Sequence, residues 1–297
     1  MRAFAIFIAL MAVAVIGGAL LAYPAYTLAH DLGADWPFHR VANRLAMLVL
    51  LIGLLWLLRR MHLNHKAALG YGLERSRFIR TGLLALALGM ASMLPIIGLL
   101  VLLGIREPDA ALSLAGASGL ALQGLIAGLA VAFIEETFLR GAMHTAIERE
   151  SGPRAAVLLT AAVYASLHFL NRVRIPHDSV DWTSGWTLIG RTFNAFADPA
   201  RIFDSFLALF AVGVLLGMVR VRFGNIAACI GLHAGWVWVI TISRELTTRN
   251  AHSPFGALVG SYDGVVGYLV LGWTVLLIAV FWLWWGRKRG AVRSTAA

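Results

Sequence analysis

Phe133-Ile-Glu-Glu-Thr-Phe-Leu-Arg140 closes a long apolar run that begins near residue 114. Two adjacent carboxylates, Glu135 and Glu136, therefore lie where a membrane helix is expected, and His168 and His233 lie inside later apolar runs. An ionisable group in hydrocarbon is costly, so its presence there indicates a functional site. The pattern predicts a membrane protein with a functional site of ionisable side chains inside its helix bundle.

The composition of the whole chain agrees with this prediction. Of its 297 residues, 60% are hydrophobic and 13% are charged, and the mean hydropathy is +0.78, whereas soluble domains carry about 25% charged residues. Helices satisfy their own backbone hydrogen bonds in lipid, so we predict an all-α polytopic membrane helix bundle. The chain 1–297 is read as a single integral membrane domain. Most of its eight candidate transmembrane spans reach the ~20 residues that a crossing needs: 3–26, 41–58, 80–104, 114–147, 155–170, 203–221, 225–243 and 262–285.

The formal charge of +10 lies mainly in connections between spans. This distribution argues against a nucleic-acid partner. The segment 59–80 and the tail 287–293 are basic, while the connections near 31–35 and across 171–202 are mixed or acidic. Under the positive-inside rule the basic segments and both termini belong in the cytoplasm. We expect a multi-pass protein in the lipid bilayer of a bacterial inner (plasma) membrane.

The first apolar run has a competing interpretation as a signal peptide, because Met1-Arg2 precedes it. The run continues through Leu21 and Ala22 without a small-x-small site at its end, which favours a retained span.

The spacing of the polar residues predicts that three helices converge. Ser151-Gly152-Pro153 favours a tight antiparallel hairpin between the fourth and fifth spans. Glu135 and His168 are equally distant from its turn, so they should face each other roughly 25 Å from it, at ~1.5 Å per residue. By the same rise, His233 lies about 13 Å along its own helix from a turn near 223–225.

The two adjacent carboxylates should have separate roles. Arg140 lies four residues after Glu136, so these two can pair on a helix face rotated about 100° from Glu135. Hydrolysis is the natural reaction for the remaining groups. Glu135 would take a proton from water that His168 orients, and His233 would donate to the developing oxyanion.

Three motifs together resemble the CPBP group of intramembrane proteases over about 130–238. This group includes the type II CAAX prenyl endopeptidases and the bacteriocin-processing and immunity membrane proteins. The first two motifs are Glu135-Glu136-x-x-x-Arg140 and Tyr164-Ala-Ser-Leu-His168. The third consists of Phe210-Ala-Val-Gly213-Val-Leu-Leu-Gly217, then Gly224-Asn225-Ile226, then Gly231-Leu-His233-Ala-Gly-Trp236.

The resemblance implies a protease core at 130–238 and an endopeptidase that cleaves a membrane-associated protein or peptide. Two substrates stay open: a prenylated C-a-a-X protein, and a small membrane peptide or protein with a processed terminus. On matching positions, Glu135 and His168 would activate water and His233 would stabilise the oxyanion. Glu136 and Arg140 would support the site.

One position departs from the pattern of the family. An asparagine usually follows the last histidine by four residues, and here that position is Val237. Three alternatives follow: His233 works alone, another donor such as Asn171 or Trp236 substitutes, or the chain is a non-catalytic membrane binding or immunity protein that retains the fold.

Other chemistries remain open at the level of sequence. The family has been described both as metal-dependent and as glutamate-dependent, so zinc is possible, although the sequence contains no His-Glu-x-x-His. Cys229, the single cysteine, lies four residues before His233 and could form a thiol–imidazole pair, but a small core residue is the simpler interpretation. A proton-coupled transporter using Glu135 and His168 would be expected to show broken helices or paired repeats.

Overall fold

The computed structural model describes residues 1–109, 114–170 and 173–294, and these residues are mainly helical. The α-helices are α1 (Arg2–Asp31), α2 (Phe38–Arg60), α3 (Arg75–Leu102), α4 (Leu114–Glu136), α5 (His144–Leu167), α6 (Ser184–Thr192), α7 (Pro199–Phe223), α8 (Ala227–Leu246) and α9 (Tyr268–Ser294). A π-helix, Thr137–Met143, joins α4 to α5, and short 3₁₀ helices occupy His177–Ser179, Asn194–Ala197 and Gly256–Leu258. Two strands, β1 (Arg106–Pro108) and β2 (Thr247–Arg249), pair antiparallel.

Within the described part of the chain, seven helical runs are long and apolar enough to cross a membrane. One of them, Ser118–Leu167, has 50 residues and is divided by Gly152, whose φ of 81° and ψ of 170° are not helical. The guanidinium of Arg140 lies 4.7 Å from the ring centroid of Tyr164, and these two residues are equally distant from Gly152. The run therefore folds back as the predicted hairpin, and the all-α polytopic bundle is confirmed.

Some predicted boundaries need correction. Helix α3 begins at Arg75 instead of near residue 80, and α9 begins at Tyr268 instead of near residue 262. The β1–β2 pair, with Arg106 opposite Arg249, was not predicted. Strands of three residues are too short to show a readable alternation of apolar and polar side chains.

Close helix packing positions the polar residues of the core. Helix α8 packs against α3 and α4, and α5 packs against α7. A Cβ atom added at Gly231 of α8 would collide with the Gly82 carbonyl of α3, so only a residue without a side chain fits there. Small residues at such contacts let membrane helices approach backbone to backbone. These contacts hold α4, α5 and α8 around one site.

One end of the bundle collects the segments that the sequence identified as basic. The Met1 amino group lies 2.7 Å from a carboxylate oxygen of Glu150, beside the Gly152 turn. The Ile226 amide donates to the Gly70 carbonyl at 3.1 Å, which joins the loop after α2 to the turn before α8. Trp284, near the end of α9, packs against the same turn. We call this end of the bundle the basic face.

The opposite end of the bundle carries the β1–β2 pair, the connection 173–198 and the segment 250–267. Ser261 donates to the Arg201 carbonyl at 3.2 Å, so the last of these segments packs on the start of α7. The short helix α6 packs on α1, where a Cβ at Gly185 would meet the Ala19 carbonyl. We call this end the mouth face, because the cavity described below opens there.

Candidate active site

Glu136 and Arg140 form the predicted pair on one side of the helix. The Arg140 Nη1 donates to Glu136 Oε1 at 3.0 Å, and both side chains are completely buried. The second Nη of Arg140 donates to the Gly213 carbonyl at 3.2 Å, and the guanidinium lies over the Tyr164 ring. A buried charge must be paired and hydrogen-bonded to be tolerated. These contacts pair the two charges, while Glu136 Oε2 and Arg140 Nε have no hydrogen-bond partner among the described residues.

His233 binds the same carboxylate oxygen from another helix. Its Nδ1 lies 2.9 Å from Glu136 Oε1, and its Nε2 lies 4.0 Å from Glu135 Oε2. An ionised carboxylate only accepts hydrogen bonds, so the contact places a proton on Nδ1 and leaves Nε2 toward Glu135. His233 is thus held between the two neighbouring glutamates, with its ring fixed by Glu136.

Glu135 occupies a different environment from its neighbour. Its side chain is 34% exposed, whereas that of Glu136 is 0% exposed. It lines a cavity of about 860 Å³ together with His168 and residues from the mouth face. Glu135 is therefore the carboxylate that water and a substrate can reach.

His168 lines the same cavity from the end of α5. Its Nδ1 lies 2.7 Å from the Tyr164 carbonyl. A carbonyl oxygen only accepts, so Nδ1 carries a proton and the neutral ring keeps an acceptor at Nε2. The Tyr164 ring separates the two imidazoles, with centroid distances of 4.5 Å to His168 and 5.6 Å to His233.

A second arginine supports the floor of the site. The Arg220 Nε donates to the Arg140 carbonyl at 3.0 Å, inside the π-helix. Its Nη2 donates to Thr145 Oγ1 at 3.3 Å, and that hydroxyl in turn donates to the Ala68 carbonyl at 2.7 Å. π-Helical turns often occur at functional sites, where they change which groups face inward. Here the buried contacts fill the bundle between the site and the basic face.

The loop on the basic face also holds the π-helix. The Tyr71 hydroxyl is 2.5 Å from Thr137 Oγ1, the residue that follows Glu136. Burial raises the pKa of the Tyr71 phenol, so it stays neutral across the physiological range. This contact ties the loop 61–74 to the end of α4.

Three residues concern the hydrogen-bond donor that the oxyanion needs: Val237, Trp236 and Asn171. Val237 is half-buried and lies against α4 near Gly128. The indole N–H of Trp236, one of the two proposed substitutes, donates to Ser92 Oγ at 2.9 Å and is directed to α3. Asn171, the other substitute, lies outside the described residues. Of His233 and Trp236, His233 is the one with a nitrogen 4.0 Å from a Glu135 carboxylate oxygen.

The geometry bears on the thiol and metal alternatives as well. Cys229 is fully buried, and its thiol contacts the Leu216 carbonyl at 3.4 Å. No cluster of three or more His, Cys, Asp or Glu side chains suited to a metal ion occurs in the parts of the chain that the structure describes. Glu136 Oε1, one candidate zinc ligand, is already bonded to Arg140 and His233.

Sequence reasoning missed two features of the site. The hydrogen bond between Glu136 and His233 depends on how α8 is rotated against α4, which spacing within one helix does not reveal. Arg220, within the predicted span 203–221, received no role from the sequence, yet it is 7% exposed and reaches the π-helix. Its position at the end of a long apolar run was a signal that could have identified it.

Comparison with known families agrees with this geometry. The family model described as "Type II CAAX prenyl endopeptidase Rce1-like" matches residues 117–239, a range that contains Glu135, His168 and His233. This match supports membership of the CPBP family of intramembrane proteases. Neither the curated proteins nor the solved structures gave a significant match. Together, the family and the apolar helices indicate a protease that is an integral membrane protein.

Proposed function

We propose that this CPBP protein is an endopeptidase that hydrolyses a peptide bond of a membrane-associated protein or peptide with activated water. One observation carries the proposal. Glu135 and His168 line one cavity, and the Nε2 atom of His233 lies 4.0 Å from Glu135. The site thus offers a proton acceptor, a group that orients water and an imidazole that can face the oxyanion.

Each step of the proposed reaction uses a side chain that lines the cavity. Glu135 accepts a proton from water, whose oxygen attacks the peptide carbonyl carbon, and His168 Nε2 accepts the second hydrogen bond of that water. The carbon–nitrogen bond then breaks, and the protonated Glu135 returns its proton to the leaving amine. General acid–base catalysis of this kind contributes about 10²–10⁴ in rate.

His233 acts on the oxyanion in this proposal. When its Nε2 is protonated, the ring is a cation that Glu136 stabilises through Nδ1, as a buried acid stabilises the imidazolium of a serine protease. Glu136 therefore has two tasks, since it also neutralises Arg140. An oxyanion donor contributes about 10²–10³ in rate.

Zinc has no step in this mechanism. The described His, Cys, Asp and Glu side chains do not bring three ligands to one point, and catalytic zinc normally has three protein ligands. The carboxylate and the two imidazoles supply proton transfer and charge stabilisation themselves.

The alternative function is that of a non-catalytic membrane binding or immunity protein, and Val237 is the observation that favours it. An aliphatic side chain one turn after His233 supplies no hydrogen-bond donor, and the Trp236 donor is committed to Ser92. Under this alternative the cavity binds its partner and cleaves nothing.

Cleavage by purified protein in proteoliposomes tests the proposal. The substrates are a fluorogenic farnesylated C-a-a-X peptide and an acyl-anchored peptide of unrelated sequence. We expect wild-type protein to cleave at least one of them, and His168→Ala and His233→Ala to reduce turnover by about 10²-fold or more.

The control variant is His252→Ala, which changes an exposed histidine on the mouth face and should keep wild-type turnover. Wild-type rates in both site variants would refute the proposed roles of the two histidines. If wild-type protein cleaves neither peptide but binds one of them, the non-catalytic alternative is favoured.

A further inference from the structure

The cavity that contains Glu135 opens at one end of the bundle, the mouth face. Asn194, Asp198 and Arg201 line it from the connection before α7 and the first turn of α7. Arg244 lines it from the last turn of α8, and Tyr262 from the segment 250–267. All of these positions lie on the mouth face. A substrate therefore reaches Glu135 from the end of the bundle that carries the connection 173–198.

The opposite approach is filled by buried polar contacts. Below Glu135, toward the basic face, lie the Glu136–Arg140 pair and the bond from Arg220 to the Arg140 carbonyl. Both arginines and Glu136 are less than a tenth exposed. The cavity near the basic face is a separate one, and it is lined by α1, α2 and the segment 146–150.

Charge is divided unequally between the two ends. By their place in the chain, the following belong to the basic face: Arg2 and the segments 59–80, 148–154, 220–222 and 287–293. Together they hold fifteen of the 25 Lys and Arg residues but only three of the 15 acidic residues. The mouth face holds nine basic and ten acidic residues, in the segments 31–44, 106–109, 172–204 and 244–263. The remaining charges are Glu135, Glu136 and Arg140.

This asymmetry orients the bundle in a membrane. Short connections rich in Lys and Arg stay in the cytoplasm, and the excess here belongs to Arg2 and four segments at one end of the bundle. With the basic face in the cytoplasm, the mouth face lies on the other side of the membrane.

Exposed aromatic side chains indicate where the mouth face lies relative to the boundary between lipid and water. Trp182 and Trp186 of the connection 173–198 are 71% and 55% exposed, and the Trp182 ring packs on Tyr23 of α1 with centroids 4.5 Å apart. Exposed tryptophan prefers the boundary between lipid and water. The cavity mouth is thus placed at the outer interface, where a membrane-anchored chain leaves the lipid.

We propose that the active-site cavity opens on the extracytoplasmic side of the membrane. Resting on the proposed function, this limits the substrate class to membrane-anchored or exported proteins and peptides whose scissile segment lies outside the cytoplasm. A protein that is prenylated and remains in the cytoplasm would face the closed, basic end of the bundle.

Two matched cysteine variants test the orientation. Asn194 and Asn64 are exposed asparagines, the first at the cavity mouth and the second in the loop of the basic face. The native Cys229 is fully buried, so wild-type protein provides an unlabelled background. Sealed spheroplasts that express Asn194→Cys or Asn64→Cys are treated with a membrane-impermeant maleimide, before and after permeabilisation.

We expect Asn194→Cys to be labelled in sealed spheroplasts and Asn64→Cys only after permeabilisation, with a difference of at least about tenfold in each case. The reverse pattern, or equal labelling of both sites in sealed spheroplasts, would overturn the proposal. Labelling does not require cleavage, so the same variants combined with His233→Ala report the orientation even if the proposed activity is wrong.

Discussion

Glu135 and Glu136 are consecutive residues in opposite environments. Glu135 is one-third exposed and lines a cavity of about 860 Å³, whereas Glu136 is fully buried and bonds to Arg140 and His233. Successive residues of a helix are rotated by about 100°, so one turn of helix can present both an open side and a closed side. In the proposed mechanism, the open side serves the substrate and the closed side fixes the groups that act on it.

The comparison also explains why the closed side contains so many hydrogen bonds. Arg140 and Glu136 are costly to bury, and each is worth keeping only when its partners stay in place. The Gly213 carbonyl and the Tyr164 ring provide those partners for Arg140, and His233 provides one for Glu136. Changes on the closed side should therefore alter stability first, while changes on the open side should alter turnover.

The largest effect is expected for Arg140→Met. This change leaves Glu136 buried without its cation and should lower the free energy of unfolding by about 3–5 kcal/mol. Thermal unfolding in detergent measures it. Arg149→Met, an exposed arginine nine residues later, is the control and should stay within about 0.5 kcal/mol. Equal, small losses in both variants would show that the closed side does not stabilise the bundle.

A smaller effect is expected for Val237→Asn. Val237 packs against α4 near Gly128, so an amide there should change turnover by less than about tenfold, well below the 10²–10³-fold effect of an oxyanion donor. Turnover at saturating peptide is the measurement. A rise of 10² or more would show that the site lacks a donor that this position can supply.

The smallest effect is expected for Cys229→Ala. The thiol is buried and contacts the Leu216 carbonyl, away from the cavity lining, so turnover should remain at the wild-type level. Cleavage assays before and after treatment with a permeant maleimide measure this. Loss of turnover in a variant that unfolds normally would restore the thiol–imidazole alternative.

The sequence predicted those features that depend on spacing within one helix or across one turn. The Glu136–Arg140 pair follows from four-residue spacing, and the contact of Arg140 with Tyr164 agrees with the hairpin at Gly152. The approach of His233 to Glu135 agrees with the predicted convergence of helices. Catalytic roles for these residues stay predictions.

Other features depend on helix rotation and packing, which no local pattern encodes. The bond from His233 to Glu136 requires α8 to lie against α4 in one orientation, and Gly231 sets that orientation through its contact with α3. The π-helix and its bond from Arg220 arise from the same packing. The sequence predicted a purely structural role for Glu136. The structure adds a second role, because Glu136 also holds a candidate catalytic histidine.

A paired measurement on Glu135→Gln and Glu136→Gln tests the division of labour most directly, because both variants remove one charge at nearly constant shape. Turnover and unfolding free energy are measured for each. Glu135→Gln should lose about 10²–10⁴ in turnover at unchanged stability. Glu136→Gln should lose turnover and, in addition, about 1–3 kcal/mol of stability, since Arg140 and His233 lose their charged partner. A normally folded Glu135→Gln variant that cleaves at the wild-type rate would contradict the account.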